Sequence, residues 1–349
     1  MRIDGFDVAR ALAVFGMVAV NFKLLLGVDD NGGVVAQVLE HLQGKAAALF
    51  VVLAGVGISL LVRRAVDVGG VRRRLLKRAF ALFIAGGAYS LVYPPDILHF
   101  YGVYLAAATL VLSASRTTLL SSVVVVTFSF VGLAVVFDYE RGWDWQSLSY
   151  NGMWTWPGVA RHLLFNGFHP ALPWLAFVFV GLLLGRIDWR RRRQRRAIGG
   201  VALAVALATA TFARHLASSA PPDGVPVDDW LALVSTSPMP PMPLFVLLAS
   251  SSAIVVIVIS VELAERCGDN VVTHSLVVTG QLSLTWYVLH VVLGAPVLLL
   301  LPQNNAVVSV VATAAFCILA TLASVAWRRR WQRGPLETAL RKLADALPG

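Results

Sequence analysis

Apolar residues in this chain run in long continuous blocks rather than in the strict alternation of a half-buried strand. Ten blocks predict helices at roughly 8–28, 45–62, 75–93, 97–114, 118–138, 171–187, 197–219, 241–262, 275–301 and 305–327. A helix rises about 1.5 Å per residue, so about 20 apolar residues cover the roughly 30 Å of hydrocarbon in a bilayer. The third and sixth blocks are short, so the count is about ten. Composition agrees: of 349 residues, 58% are hydrophobic and 14% charged. The expected fold class is all-α, a polytopic membrane helix bundle.

Charge predicts how the bundle sits. Arg63, Arg64, Arg72–Arg74, Lys77 and Arg78 fall between spans two and three, and Arg116 between four and five. Arg190–Arg193, Arg195 and Arg196 separate six from seven, and Arg328–Arg330 with Arg333 follow the last span. Simple alternation puts all of these on one side. The other side collects Asp29, Asp30, Glu40, Asp96, Asp138, Glu140, Asp144, Asp223, Asp228 and Asp229. The positive-inside rule then makes the basic side, and both termini, cytoplasmic.

The net charge of +10 is accounted for by this rim and calls for no nucleic acid. The same rim suits anionic lipid head groups or the phosphates of a nucleotide. The apolar stretch from Ala11 to Val28 is long for a signal h-region and reads as a retained first helix. Residues 1–333 form the expected bundle. Residues 334–349 form a cytoplasmic tail, with Leu336, Leu340, Leu343 and Leu347 on one helical stripe.

Against this background, polar residues inside apolar spans carry the candidate chemistry. In "GFDVARALAVFGMVAVN", Arg10, Met17 and Asn21 share a stripe and Asp7 lies about 60° away. Arg10 and Asn21 are then about 16 Å apart along the axis. In span nine, Ser283, Tyr287 and His290 share a face. Both faces suit interhelical hydrogen bonds, or the lining of a passage.

The predicted outer loops add His41 before span two, Asp96 and His99 in "YPPDILHFYG", and His169 in "FNGFHPALPW". Such groups can serve acid–base or nucleophilic chemistry, or be ordinary loop residues. Their scattered spacing, with two cysteines far apart, suggests neither a metal site nor a disulfide framework. Trp143, Trp145, Trp154 and Trp156, with Tyr139 and Tyr150, form an interfacial belt or a platform for a sugar or lipid acceptor.

Taken in order, these stretches resemble a known family. The pattern Asp7, Arg10, Met17, Asn21 resembles the first helix of the heparan-alpha-glucosaminide N-acetyltransferases. "LFNGFHPALPWLAFVFVGLLLGR" resembles that superfamily's Pro-Trp helix, and "GQLSLTWYVLH" its late helix ending in histidine. "GKAAALFVVLAGVG", "DILHFYGVYL" and "RGPLE" look closer still to the YeiB-like bacterial branch.

The resemblance implies a transmembrane acyltransferase of the bacterial inner membrane. It would move an acetyl group from cytoplasmic acetyl-CoA, or another acyl-CoA, to an extracytoplasmic glycan, lipid or envelope-polymer acceptor. No permanently bound cofactor or metal is implied, and a homodimer is allowed. His41, His290 and Asn21 would be the catalytic groups. Asp7, Arg10, Arg74, Arg78, Ser283 and Tyr287 would hold the donor. Asp96, His99, Trp154, Trp156, His169 and Trp174 would hold the acceptor. The competing reading is a transporter or flippase for an envelope precursor, using the same polar stripe without chemistry.

Overall fold

The computed structural model describes residues 3–28, 33–268 and 270–347. Asp29 and Asp30 of the predicted acidic face lie outside the described residues. In chain order the elements are α1 (Asp4–Leu25), α2 (Val34–Leu42), α3 (Lys45–Arg63), α4 (Val68–Ser90), α5 (Leu98–Ala108) and α6 (Arg116–Val136). A two-residue antiparallel pair follows, β1 (Trp143–Asp144) with β2 (Ser149–Tyr150), Trp143 facing Tyr150. Next come α7 (Trp156–Arg161), a π-helical turn (His162–Asn166), α8 (Ala171–Leu184), α9 (Arg192–Ala217) and α10 (Val227–Val234). The chain closes with α11 (Pro243–Cys267), α12 (Val271–Gln281), α13 (Ser283–Val292), α14 (Gly294–Leu298), α15 (Ala306–Arg328) and α16 (Pro335–Ala346).

The fold is all-helical, as expected. Among the described residues, six helices are individually long and apolar enough to cross a membrane: α1, α2 running into α3, α6, α9, α11 and α15. Two bent pairs raise the number to eight. Helix α4 carries Arg72, Arg73, Arg74, Lys77 and Arg78 in its first half, and α5 has only 11 residues. Exposed apolar side chains crowd α6 and α15, among them Val124, Phe128, Val135, Ile318 and Leu322. Hydrocarbon accepts such faces and water does not. The protein is a multi-pass membrane helix bundle.

Two expectations are corrected by backbone detail. Span nine is not one straight helix: α12 and the α13–α14 segment meet at Leu282 with a 76° bend. The stretch before span six is not simply loop: Trp156–Asn166 is helical and meets α8 at 49°.

The chain divides into two compact units. The first comprises Met1–Phe50, Arg195–Gly199 and Ser252–Ala339. Here α1 is the central helix, touching α2, α12, α13, α14 and α15. Glycines set the closest approaches. A Cβ on Gly280 of α12 would fall 1.9 Å from the Asp7 carbonyl oxygen, and one on Gly5 2.3 Å from Val261 Cα. With no hydrophobic force between helices in lipid, close van der Waals contact of this kind is what joins them. Arg195, wholly buried, donates to Glu262 at 2.7 Å and also to Glu265. A buried guanidinium needs such carboxylate partners.

The second unit comprises Val51–Gln194, Gly200–Ser251 and Leu340–Gly349. Gly55 of α3 and Gly181 of α8 face each other, each leaving room only for the other's backbone. Arg63 Nη1 donates to the Gly185 carbonyl at 3.1 Å, closing the same crossing. Helix α5 lies against α4 and α8, with Gly86 of α4 directly beneath the His99 amide. In the tail helix Leu340 is buried but Leu343 is exposed, a narrower apolar stripe than the leucine spacing predicts.

Candidate functional site

In the first unit, Asp7 is buried near the start of α1 and accepts from Arg10 Nη1 at 2.5 Å, one turn on. Three turns further, Asn21 Nδ2 lies 2.8 Å from His290 Nε2 on α13. An amide nitrogen only donates, so Nε2 accepts and the imidazole proton resides on Nδ1. His290 is fully buried, with Tyr287, Phe22 and Phe316 rings 5.4, 6.3 and 6.5 Å away. Gly294 makes room for Phe22, whose ring would meet its Cβ at 2.8 Å. Spans one and nine thus bring Asn21 and His290 face to face.

The break at Leu282 explains how α13 can aim at Asn21. Breaking a helix leaves the first amides of the new one without intrahelical acceptors. Glu337 of α16 supplies them: its Oε1 accepts from Leu284 N at 2.8 Å and Thr285 N at 3.1 Å. Its Oε2 accepts from Thr285 Oγ1 at 2.6 Å. A carboxylate at a helix N-terminus also opposes the helix dipole favourably. Glu337 belongs to the quoted "RGPLE", but its role as a cap was not legible there. Ser283 opens α13 beside this cap.

In the second unit lies another polar cluster. Asp96 and His99 are both buried, and Asp96 Oδ2 accepts from His99 Nδ1 at 3.0 Å. The same oxygen takes the Leu98 and His99 amides that open α5, at 2.9 and 3.3 Å. The His99 ring lies 5.8 Å from that of His162, nearly parallel to it. The His169 ring meets Trp174 edge-on at 4.6 Å. His162, not singled out from the sequence, sits in the π-helical turn. No spacing rule would have found it.

Asn166 was also missed. It is fully buried and donates to the Tyr139 and Arg141 carbonyls at 2.8 and 2.9 Å, while accepting from Tyr150 Oη at 2.9 Å. Its own carbonyl accepts from Trp143 Nε1 at 2.6 Å. It clamps the 139–150 segment over His162, which both Tyr150 and Trp143 contact. In the hairpin, the Ser147 hydroxyl and amide donate to Asp144 and hold its carboxyl below the ordinary value.

Five other predicted site residues are exposed. His41 is exposed on α2, its Nδ1 bonded to the Gln37 carbonyl at 2.7 Å. Trp154 and Trp156 are exposed at 74% and 88%. Arg74 and Arg78 are exposed on α4. Among the described residues, no group of His, Cys, Asp and Glu is arranged to hold a metal ion.

An apolar helical bundle with buried polar side chains paired across its helices defines a multi-pass membrane protein. The chain belongs to the heparan-alpha-glucosaminide N-acetyltransferase catalytic family, whose model matches residues 2–217. Residues 181–346 match a second family, described as a protein of unknown function, DUF418, the YeiB-like group. No curated protein matches the chain.

Proposed function

We propose that this protein is an integral-membrane acyltransferase that moves an acyl group, acetyl foremost, from cytoplasmic acyl-CoA to an extracytoplasmic sugar, lipid or envelope-polymer acceptor. The observation that carries the reading is the Asn21–His290 pair at 2.8 Å inside a bundle of this acetyltransferase family. When substrates enter, the pair separates into its two chemical functions. His290 Nε2, released, takes the proton of the attacking hydroxyl or amine. The Asn21 amide turns its N–H toward the thioester oxygen as negative charge develops there. The carbon–sulfur bond then breaks, and the proton returns to the departing CoA thiolate.

The orientation follows from charge. The chain crosses the bacterial inner membrane about ten times with both termini cytoplasmic, and residues 334–349 form a cytoplasmic tail after the 1–333 bundle. Arg74 and Arg78, exposed on α4, carry charge complementary to the anionic phosphates of CoA. Asp7, Arg10, Ser283 and Tyr287 border the pantetheine arm, and His41 is an alternative base on the outer side. His290 is wholly enclosed, so entry of the acyl group requires the α12–α13 break to open.

One observation favours a second reading. Broken spans are a frequent feature of transporters, where half-helix ends meet the cargo. The α12–α13 bend fits that pattern, and would serve a flippase for an envelope precursor.

The test uses purified protein in nanodiscs with radiolabelled acetyl-CoA and a thiol reagent that reads CoA release. Release or protein labelling that disappears in His290→Ala and Asn21→Ala supports acyl transfer. Wild-type protein that neither binds acetyl-CoA nor releases CoA at any acyl length overturns it.

A further inference from the structure

The second unit holds buried polar atoms on residues that the acyltransferase resemblance gives to the acceptor, together with His162, which it does not name. His99 Nε2, His162 Nδ1, His169 Nδ1 and Trp174 Nε1 are each shielded from solvent with no hydrogen-bond partner among the described residues. His99 and His162 are each 3% exposed and Trp174 not at all. These are not scattered. His99 and His162 rings lie 5.8 Å apart, Phe100 sits 5.2 Å from His162 and 5.9 Å from His169, and His169 meets Trp174 at 4.6 Å. His169 is within electrostatic reach of both other histidines. Buried donors and acceptors are costly to leave unmatched, and four in one connected cluster point to a guest.

The chemistry of the orphaned atoms selects that guest. Asp96 takes the Nδ1 proton of His99, so His99 Nε2 offers a lone pair and needs a donor. Trp174 Nε1 is a donor only and needs an acceptor. An ammonium group has no acceptor for Trp174, and a carboxylate has no donor for His99. A neutral hydroxyl has both. The imidazoles of His162 and His169 provide either role by choice of tautomer.

We propose that Asp96, His99, His162, His169 and Trp174 form a binding site for a neutral hydroxyl group of a sugar or of a lipid head group. The guest lies against His99 Nε2, oriented by Asp96, and accepts from Trp174 Nε1. Trp143 and Tyr150, which border His162 and are held by Asn166, form the aromatic side of the site. This rests on the acyl-transfer reading and deepens its acceptor side: it names the group recognised, and its test does not depend on the donor.

The test measures direct binding to the full-length protein in detergent micelles, with no acyl donor present. Two probes separate the two sources of hydroxyl: methyl β-D-glucoside and dihexanoyl phosphatidylglycerol. Saturable binding of either one supports the site and names its source, provided Trp174→Phe and His99→Gln weaken it by about tenfold or more. Thermal unfolding of each variant in the same micelles guards against misfolding: only variants that melt as the wild type does enter the comparison. Binding of neither probe means that water alone fills the site and overturns the proposal, as does equal binding by wild type, Trp174→Phe and His99→Gln. Acetyl-CoA binding, measured separately, reports on the acyl-transfer reading alone.

Discussion

The side-chain amide of Asn21 and the imidazole of His290 meet at 2.8 Å although 269 positions separate them in the chain. Glycines in the helices on either side of α13 hold it against α1. Gly280 rests on Asp7 at one end of α1, and Gly294 on Phe22 at the other. The polar pair is therefore held by packing on both sides, and its geometry is a property of the bundle rather than of two flexible side chains.

If this pair performs acyl transfer, His290→Ala lowers the turnover rate by about 10²–10⁴-fold, the usual value of a general base. Asn21→Ala lowers it by about 10²–10³-fold, as for other oxyanion donors. The two losses do not add in the double variant, because the residues act as a unit. Steady-state CoA release in nanodiscs measures all three.

Glu337 caps α13 with three accepted hydrogen bonds. Glu337→Ala leaves two amides of the broken span without acceptors and destabilises the fold by about 1–3 kcal/mol. Glu337→Gln keeps an acceptor oxygen and recovers part of the loss. Thermal unfolding of detergent-solubilised protein reads the order: wild type, then Gln, then Ala.

A methyl group at Gly280 would overlap the Asp7 carbonyl, whereas one at Gly132 on α6 has nothing within 4 Å. Gly280→Ala is expected to cost about 1–3 kcal/mol or more through overpacking. Gly132→Ala gains roughly 0.5–1 kcal/mol through lost backbone freedom of the unfolded chain. Equal melting temperatures for the two variants would show that the α1–α12 contact is looser than described.

Asn166 is the clamp of the hairpin segment. Asn166→Ala strips donors from the Tyr139 and Arg141 carbonyls and an acceptor from Tyr150. Hydrogen exchange should quicken across residues 139–150 while α1 and α13 keep their protection. An unchanged exchange pattern there would remove Asn166 from this role.

Much of the bundle was legible from hydrophobicity alone, because backbone polar groups in hydrocarbon must be satisfied within each segment. Each predicted span contains helix, and Asp7, Arg10, Asn21, Ser283, Tyr287 and His290 stand out as polar groups in apolar runs. The break at Leu282 was not legible. "GQLSLTWY" reads as continuous helix, and the amides freed there are taken by Glu337, 53 positions from Leu284. His162 was hidden for a similar reason: it stands in a stretch that reads as loop, and only the π-helical turn places it beside His99.

The sequence by itself determined that this is a helical membrane protein, which residues are polar within its spans and which family it resembles. Length and hydropathy decide those features segment by segment. Only tertiary structure decided partners: Asn21 with His290, Asp96 with His99 and its neighbouring histidines, Asn166 with the hairpin, Glu337 with α13. Those depend on which helix faces meet, and the meeting is governed by glycine contacts and hydrogen bonds between residues far apart in the chain, which no local pattern encodes.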